Sequence, residues 1–245
     1  MRLLNGIRER PVADAVIRDP ARPTSFDEHG AVHSVQAADL TMPVAELDAI
    51  WSPMHLERLA RTYWKYLSRV TLGVIRVAYT PTERSVVLIA RPFVLLRFRA
   101  PEYYMDAVRG VVRWQIRDGI LVASEGHEGD GYLEIEVRRH PQAAPGRATL
   151  HVEVEIASFY PAIAFRIARW VYAATQSRIH VLVTHGFLRS LAKLELEPSA
   201  VGRFAPPGEA REEKPVTVGD TPWRMIGALA AAAVVALALL ARRLR

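Results

Sequence analysis

Hydrophobic and polar positions alternate through the middle of the chain. From Arg109 to Arg117, Val112, Trp114 and Ile116 alternate with Arg113, Gln115 and Arg117. Gly131 to Arg139 repeats the pattern with Leu133, Ile135 and Val137, and a later stretch repeats it with Leu150, Val152, Val154 and Ile156. A period of two sends successive side chains to opposite faces of a strand. Each segment therefore predicts a strand with one face on a core and the other in water. Short turn-forming stretches separate them, which predicts an antiparallel sheet. The spacing also predicts strands over Val32 to Thr41, Arg69 to Tyr79 and Ser85 to Arg99, with Pro92 marking a bulge or a turn between two strands in the last. Asp118-Gly119 predicts a two-residue hairpin turn, with Ile120 to Ser124 as the returning strand.

The period becomes helical twice. Pro43 to Tyr66 predicts helix, broken near Ser52-Pro53, because proline suits the first position of a new helix. Pro161 to Leu194 predicts one long helix, with Gly186 as the place for a kink. In it Trp170, Ala174, Ser177, Val181, Thr184, Leu188 and Leu191 are spaced by three and four, forming a stripe that should face the sheet.

The ends read differently. Residues 1–30 are rich in arginine, aspartate and proline and lack sustained periodicity, which predicts a flexible arm. Residues 196–222 carry five prolines and the cluster Arg211, Glu212, Glu213, Lys214, which predicts a flexible linker. Residues 31–195 are the expected folded domain. From Met225 to Ala241 no residue is charged or polar. At about 1.5 Å per residue this stretch spans about 25 Å, near the short limit for a bilayer core of about 30 Å. Trp223 and Arg224 stand at one end and Arg242, Arg243 and Arg245 at the other, as interfacial anchors would. Residues 223–245 are thus expected to be a single transmembrane anchor, with membrane lipids as its partner. The flanking arginines do not decide its orientation. The first residues lack a signal-like apolar run, so the expected arrangement is tail-anchored, with the domain in the cytoplasm. Gly227 with Ala231, and Ala228 with Ala232, are four apart and suggest a weak homodimer.

Composition narrows the chemistry. The chain has no cysteine, which excludes disulfides and thiolate catalysis. The net charge of +6 does not by itself imply nucleic acid, and no nucleic-acid partner is expected. His180 and His185 are five apart on the expected helix, about 140° round it, which suits no shared metal. His151, Glu153 and Glu155 share a strand face opposite the apolar one and read as solvated. Glu125, His127, Glu128 and Asp130 read as a solvated turn without the ordered spacing of a calcium loop. Gly126, Gly129 and Gly131 precede no helix and so form no phosphate loop. No nucleophile elbow and no zinc-helix motif is found. No metal and no cofactor are expected. Arg97, Arg99, Arg113 and Arg117, at even spacing, suggest either a basic outer face for anionic lipid or ordinary solubility.

Three stretches carry a resemblance: VQAADLTMPVAELDAIW, the hairpin series RGVVRWQIRDGILVA with GYLEIEVRR, and the final segment FYPAIAFRIARWVYAATQSRIHVLVTHGFLRSLAKL. The last holds Trp170, Tyr172, His180, Gly186, Phe187 and Leu188 at the positions of a closing-helix pattern. Over about Val32 to Leu194 the chain resembles the START-like (SRPBCC) superfamily, which includes lipid-transfer proteins, plant pathogenesis-related proteins and polyketide cyclases. The resemblance implies an α+β helix-grip fold, a curved antiparallel sheet wrapped on a long C-terminal helix with an apolar pocket between them. Trp64, Trp114, Trp170, Ala174, Ser177, Val181, Thr184 and Leu188 are the candidate lining. Tyr63, Trp64, Tyr66, Tyr103 and Tyr104 are candidates for the pocket mouth or for edge packing. The implied activity is binding or sequestering an apolar ligand, a lipid or isoprenoid, at the membrane surface. One alternative is a cyclase- or dehydratase-like enzyme using His180, Ser177, Thr184 and Tyr172. Another is a scaffold with a filled core.

Overall fold

A computed structural model describes residues 13–18, 24–28, 31–71, 73–80, 82–88, 94–119, 121–122, 129–160, 184, 186–189, 191–193 and 196–198. The alternating segments form strands, in the order β1 (Asp14–Arg18), β2 (Thr24–Phe26), β3 (Val32–Pro43), α1 (Val44–Ile50), α2 (Pro53–Val70), β4 (Ile75–Tyr79), β5 (Glu83–Leu88), β6 (Val94–Arg99), β7 (Glu102–Met105), β8 (Arg109–Asp118), β9 (Tyr132–Ala144) and β10 (Arg147–Phe159). Thr184 and residues 186–189 are helical, and a 3₁₀ turn covers Leu191–Lys193.

Among the described residues these strands make one sheet in the order β1-β3-β10-β9-β8-β6-β5-β4, with β2 also on β3 and β7 also on β8. Every pairing is antiparallel. The opening strand β3, the helix pair and the meander β4 to β10 follow the helix-grip order, with β3 beside the last strand. Register shifts within β5–β6, β6–β8, β9–β10 and β3–β10 bend the sheet.

One face of the sheet is apolar in rows. Ala38, Val152 and Val137 stand in line across β3, β10 and β9, and Leu133 stands opposite Trp114 across β9 and β8. Helix α2 lays Leu56, Leu59, Ala60, Tyr63 and Trp64 into the same core. Burying each large apolar side chain stabilises the fold by about 1.5–3 kcal/mol. The α1–α2 break falls where Ser52-Pro53 placed it. Ser52 caps α2 by accepting from the His55 amide at 3.4 Å, and Pro53 occupies the first turn.

Several expectations need correction. The helix expected to end at Tyr66 runs to Val70, so the strand expected from Arg69 begins only at Ile75. Ser85 to Arg99 holds two paired strands, one of the two arrangements expected there, and Pro92 lies outside the described residues. Asp118-Gly119 makes no two-residue hairpin, because β8 pairs with β9 on one side and with β6 and β7 on the other. The Leu121 amide instead donates to Leu95 O at 3.0 Å and the Val122 amide to Gly119 O at 3.0 Å. Gly119, at φ 144°, is required there, because a Cβ would collide with the Leu95 carbonyl. The stretch expected as a flexible arm contributes β1 and β2 to the sheet. Leu196 and Glu197, expected as linker, are hydrogen-bonded to α2. Most of the expected long final helix lies outside the described residues, as do 199–222 and the expected anchor 223–245. Among the described residues no helix is long and apolar enough to cross a membrane.

Candidate functional site

Trp64 of α2 and Trp114 of β8 meet edge to face, with ring centroids 5.3 Å apart. Phe98 lies 5.6 Å from Trp64, Tyr63 lies 5.1 Å from it, and Phe187 lies 5.2 Å from Tyr63. Thr184 and Leu188, one helical turn apart, are fully buried. Burial pushes the Tyr63 phenol up to about 12. Thus Trp64 and Trp114 touch, and Thr184 and Leu188 are core residues on the helical segment that carries Phe187. Trp170, Ala174, Ser177 and Val181 lie outside the described residues, as do His180 and Tyr172. The Trp64 and Trp114 indole nitrogens are buried with no hydrogen-bond partner among the described residues, which costs stability unless an acceptor reaches them. Gly186 admits the Tyr66 hydroxyl where a Cβ would collide with it. The Gly186-Phe187-Leu188 pattern is therefore accounted for by packing on α2.

A separate apolar pocket of about 40 Å³ lies between the helix pair and the sheet. Leu40, Leu150 and Val152 form its floor, Leu47, Leu56 and Leu59 its wall, and Leu191 and Leu196 help close it. A single water needs about 10–15 Å³ of such space, so the pocket has room for a few waters. His55 is the titratable residue in the lining. Burial, and then the Arg58 charge, hold its imidazole below its ordinary value. Its Nδ1 lies 2.8 Å from Ser52 Oγ. Sequence spacing did not single out this pocket, because its lining comes from six separate segments with no common motif.

Two of the buried charged residues, both on the inner side of the sheet, were also missed. Glu57 on α2 is 3% exposed and Arg84 on β5 is 6% exposed. Arg84 stands opposite Phe98, on the inner side of the sheet. Its Nη1 donates to the carbonyls of Thr80 and Glu83, and its guanidinium lies 5.1 Å from the Tyr79 ring centroid. Burial pulls Arg84 below the usual guanidinium range. Burial and then the Glu57 carboxylate push the Tyr103 phenol upward. The legible signal was spacing: Glu57 is three residues before Ala60 and seven before Trp64, on the buried stripe of α2.

The outer face is charge-balanced rather than basic. Arg109 grips Glu136 through two bonds of 2.9 Å, and Arg138 bonds the same carboxylate. Arg113 pairs with Glu134, Arg117 with Glu83, and Arg97 with Asp118. Glu136 stands directly opposite Glu153, and Glu134 opposite Glu155, so these arginines offset two like-charge cross-strand pairs. His151, Glu153 and Glu155 lie on this face, as expected from their alternation. His151 Nδ1 is 2.7 Å from Asp39, and His33 Nε2 is 2.7 Å from Glu155. No group of three or more such side chains among the described residues is placed to hold a metal ion.

No family model matches the chain, and no curated protein is similar to it. Among solved structures, the chain is similar to norcoclaurine synthase from Thalictrum flavum, at 12% identity over 67% of this chain and 88% of that one, with a TM-score of 0.31. Human STARD10 gives 7% identity over 70% and 72%, with a TM-score of 0.30. CalU16 from Micromonospora echinospora gives 11% identity over 93% and 97%, with a TM-score of 0.26. Likenesses at this level carry no activity or ligand over to this chain.

Proposed function

We propose that the domain binds an apolar ligand, a lipid or isoprenoid, beside a membrane to which residues 225–241 tether it. The observation that carries this reading is the pocket between helices and sheet, whose lining is aliphatic or aromatic apart from one histidine. An apolar molecule leaving a bilayer needs such an enclosure, worth about 0.8 kcal/mol per buried CH₂. The pocket as it stands is too small for a lipid, so uptake requires its lining to move apart. In this reading the domain faces the cytoplasm.

A second reading, a scaffold with a filled core, draws on the same small volume and on the Trp64–Trp114 contact. Ligand retention separates the two. The full chain is purified in mild detergent, extracted and analysed by mass spectrometry, and its uptake of fluorescent lipid from vesicles is measured. Retained or transferred apolar ligand supports binding. A chain that carries none and takes up none leaves the scaffold.

A further inference from the structure

Five large hydrophobic side chains are exposed among the described residues, and four fall on two adjoining segments. Tyr103, Tyr104 and Val108 belong to the β7–β8 hairpin, and Met54 to the first turn of α2. The Trp51 indole donates to the Asp106 carbonyl at 3.0 Å and fastens the α1–α2 corner to that hairpin. The hairpin tip is tightly bonded. Asp106 Oδ1 accepts from the amides of Val108 and Arg109, at 2.8 Å each, and Oδ2 accepts from the Tyr104 hydroxyl at 2.9 Å. The Arg139 amide donates to Val108 O at 2.8 Å. Val108 is thus held outward at 60% exposure, with Tyr104 at 56% and Met54 at 40%. Single exposed hydrophobics are normal, but a grouped edge marks an interaction surface. Ile50, Trp51, His55 and Met105, from the same corner and hairpin, line the pocket, so this edge borders it.

We propose that Met54, Tyr104 and Val108 form the edge by which the domain docks on a lipid bilayer; Tyr103, whose phenol turns inward beside Glu57 and Arg84, is not part of it. This rests on the membrane-side binding proposed above and adds the residues that touch lipid. The chain itself favours a bilayer as the occupant. The described chain ends on α2 at Pro198, and 26 residues, 199–224, separate it from the apolar stretch that begins at Met225. A flexible segment of that length reaches about 25–30 Å, which keeps the edge within reach of the surface. Methionine and valine suit shallow insertion, and the Tyr104 ring suits the headgroup level. Arg109 and Arg139 beside the edge are already bonded to Glu136 and Asp48. Docking therefore draws on apolar area and is insensitive to salt.

The absence of cysteine makes the test clean. Val108→Cys, Met54→Cys and Asp130→Cys each carry one environment-sensitive fluorophore. Asp130 is exposed and lies beyond the opposite end of β9 from Arg139. The labelled full chains are added to phosphatidylcholine vesicles, and co-flotation is measured with quenching by nitroxide lipid and by aqueous iodide. The expected result is co-flotation, with lipid quenching several-fold stronger at 108 and 54 than at 130, at low and high salt alike. Co-flotation with position 108 as open to iodide as position 130 overturns the edge and leaves the tether standing. Shielding of position 108 from both quenchers also overturns it, since the edge is then covered by the chain's own apolar segment or by a second copy. Failure to co-float removes the membrane reading and the edge together.

Discussion

Arg58 Nη2 donates to the carbonyl oxygen of Leu196 at 2.8 Å, joining α2 to a segment 138 residues further along the chain. Its Nε donates to Glu197 O at 3.2 Å, and the Glu197 amide donates to Thr62 Oγ1 at 2.9 Å. These bonds hold the Leu196 side chain over the pocket. Arg58→Ala should therefore loosen the closure without unfolding the domain, at a cost of about 1–3 kcal/mol. Hydrogen exchange at the Glu197 amide should accelerate in Arg58→Ala and in Thr62→Val, and lipid exchange should quicken with it. Unchanged protection at Glu197 in both variants would show that the strap is held by something else.

The pocket itself can be filled. Val152 is fully buried at its floor. Val152→Ile adds one methylene toward a space of about 40 Å³, so stability should change by less than about 1.5 kcal/mol. Lipid uptake should fall in the same variant. Full uptake with intact folding would place the ligand elsewhere in the interior.

Trp114 anchors the other end of the core. It is 1% exposed and touches Trp64. Trp114→Ala should destabilise the domain by about 3–5 kcal/mol in denaturant titration. Trp114→Phe removes the buried indole N–H and keeps most of the ring, so it should cost clearly less. Equal losses in both variants would mean that the indole nitrogen has a partner that matters.

Where the sequence pattern worked, it worked through alternation. Val112, Trp114 and Ile116 show the period of two plainly, because one face of β8 meets only core. Ser52-Pro53 marked a helix start because the cap and the proline act locally. It failed where a distant segment decides the outcome. Gly119 looks like a turn residue, but its backbone lies against Leu95, on a strand that local sequence cannot place. β1 is a five-residue edge strand whose Val16 is exposed, so its alternation signals no core. The arginines of β8 left a basic face and ordinary solubility both open, because the cross-strand register that sets Glu134 and Glu136 beside them is not visible along one strand. The strap over the pocket depends on Arg58 reaching a carbonyl, which no side-chain pattern encodes.

The outer face gives the chain a pH signature at His151. Its hydrogen bond to Glu153, with that to Asp39, raises the imidazole above its ordinary value of 6.5 despite burial. For Asp39, burial acts upward but is outweighed by the bonds from His151 and Arg18, which hold it below 3.8. Arg138 stands opposite His151 on β9, and the His140 ring lies 6.1 Å away. The raised imidazole contributes stability that is complete below 6.5 and lost as pH rises through its folded value. The lowered carboxyl contributes stability present above 3.8 and lost as pH falls through its folded value. His151→Asn should therefore cost more at about pH 6 than at about pH 9 in urea titrations. A cost independent of pH would show that the imidazole acts there only by packing.

The tether is the most exposed part of the functional proposal. Residues 225–241 are alanine-rich and only about 25 Å long as a helix, so their insertion has little free energy in reserve. An arginine at the centre of such a segment costs about 2.5–3.5 kcal/mol on the insertion scale. Val234→Arg should move the full chain from the membrane fraction to the soluble one, whereas Val234→Leu should leave it in place. The domain should remain folded in both variants, checked by near-ultraviolet circular dichroism. If Val234→Arg stays with the membrane, the apolar edge at Met54 and Val108 is sufficient on its own, and quenching at position 108 then reports the main attachment. If both variants are soluble from the start, the C-terminal stretch is a packed element of the protein and the ligand must reach the pocket through water.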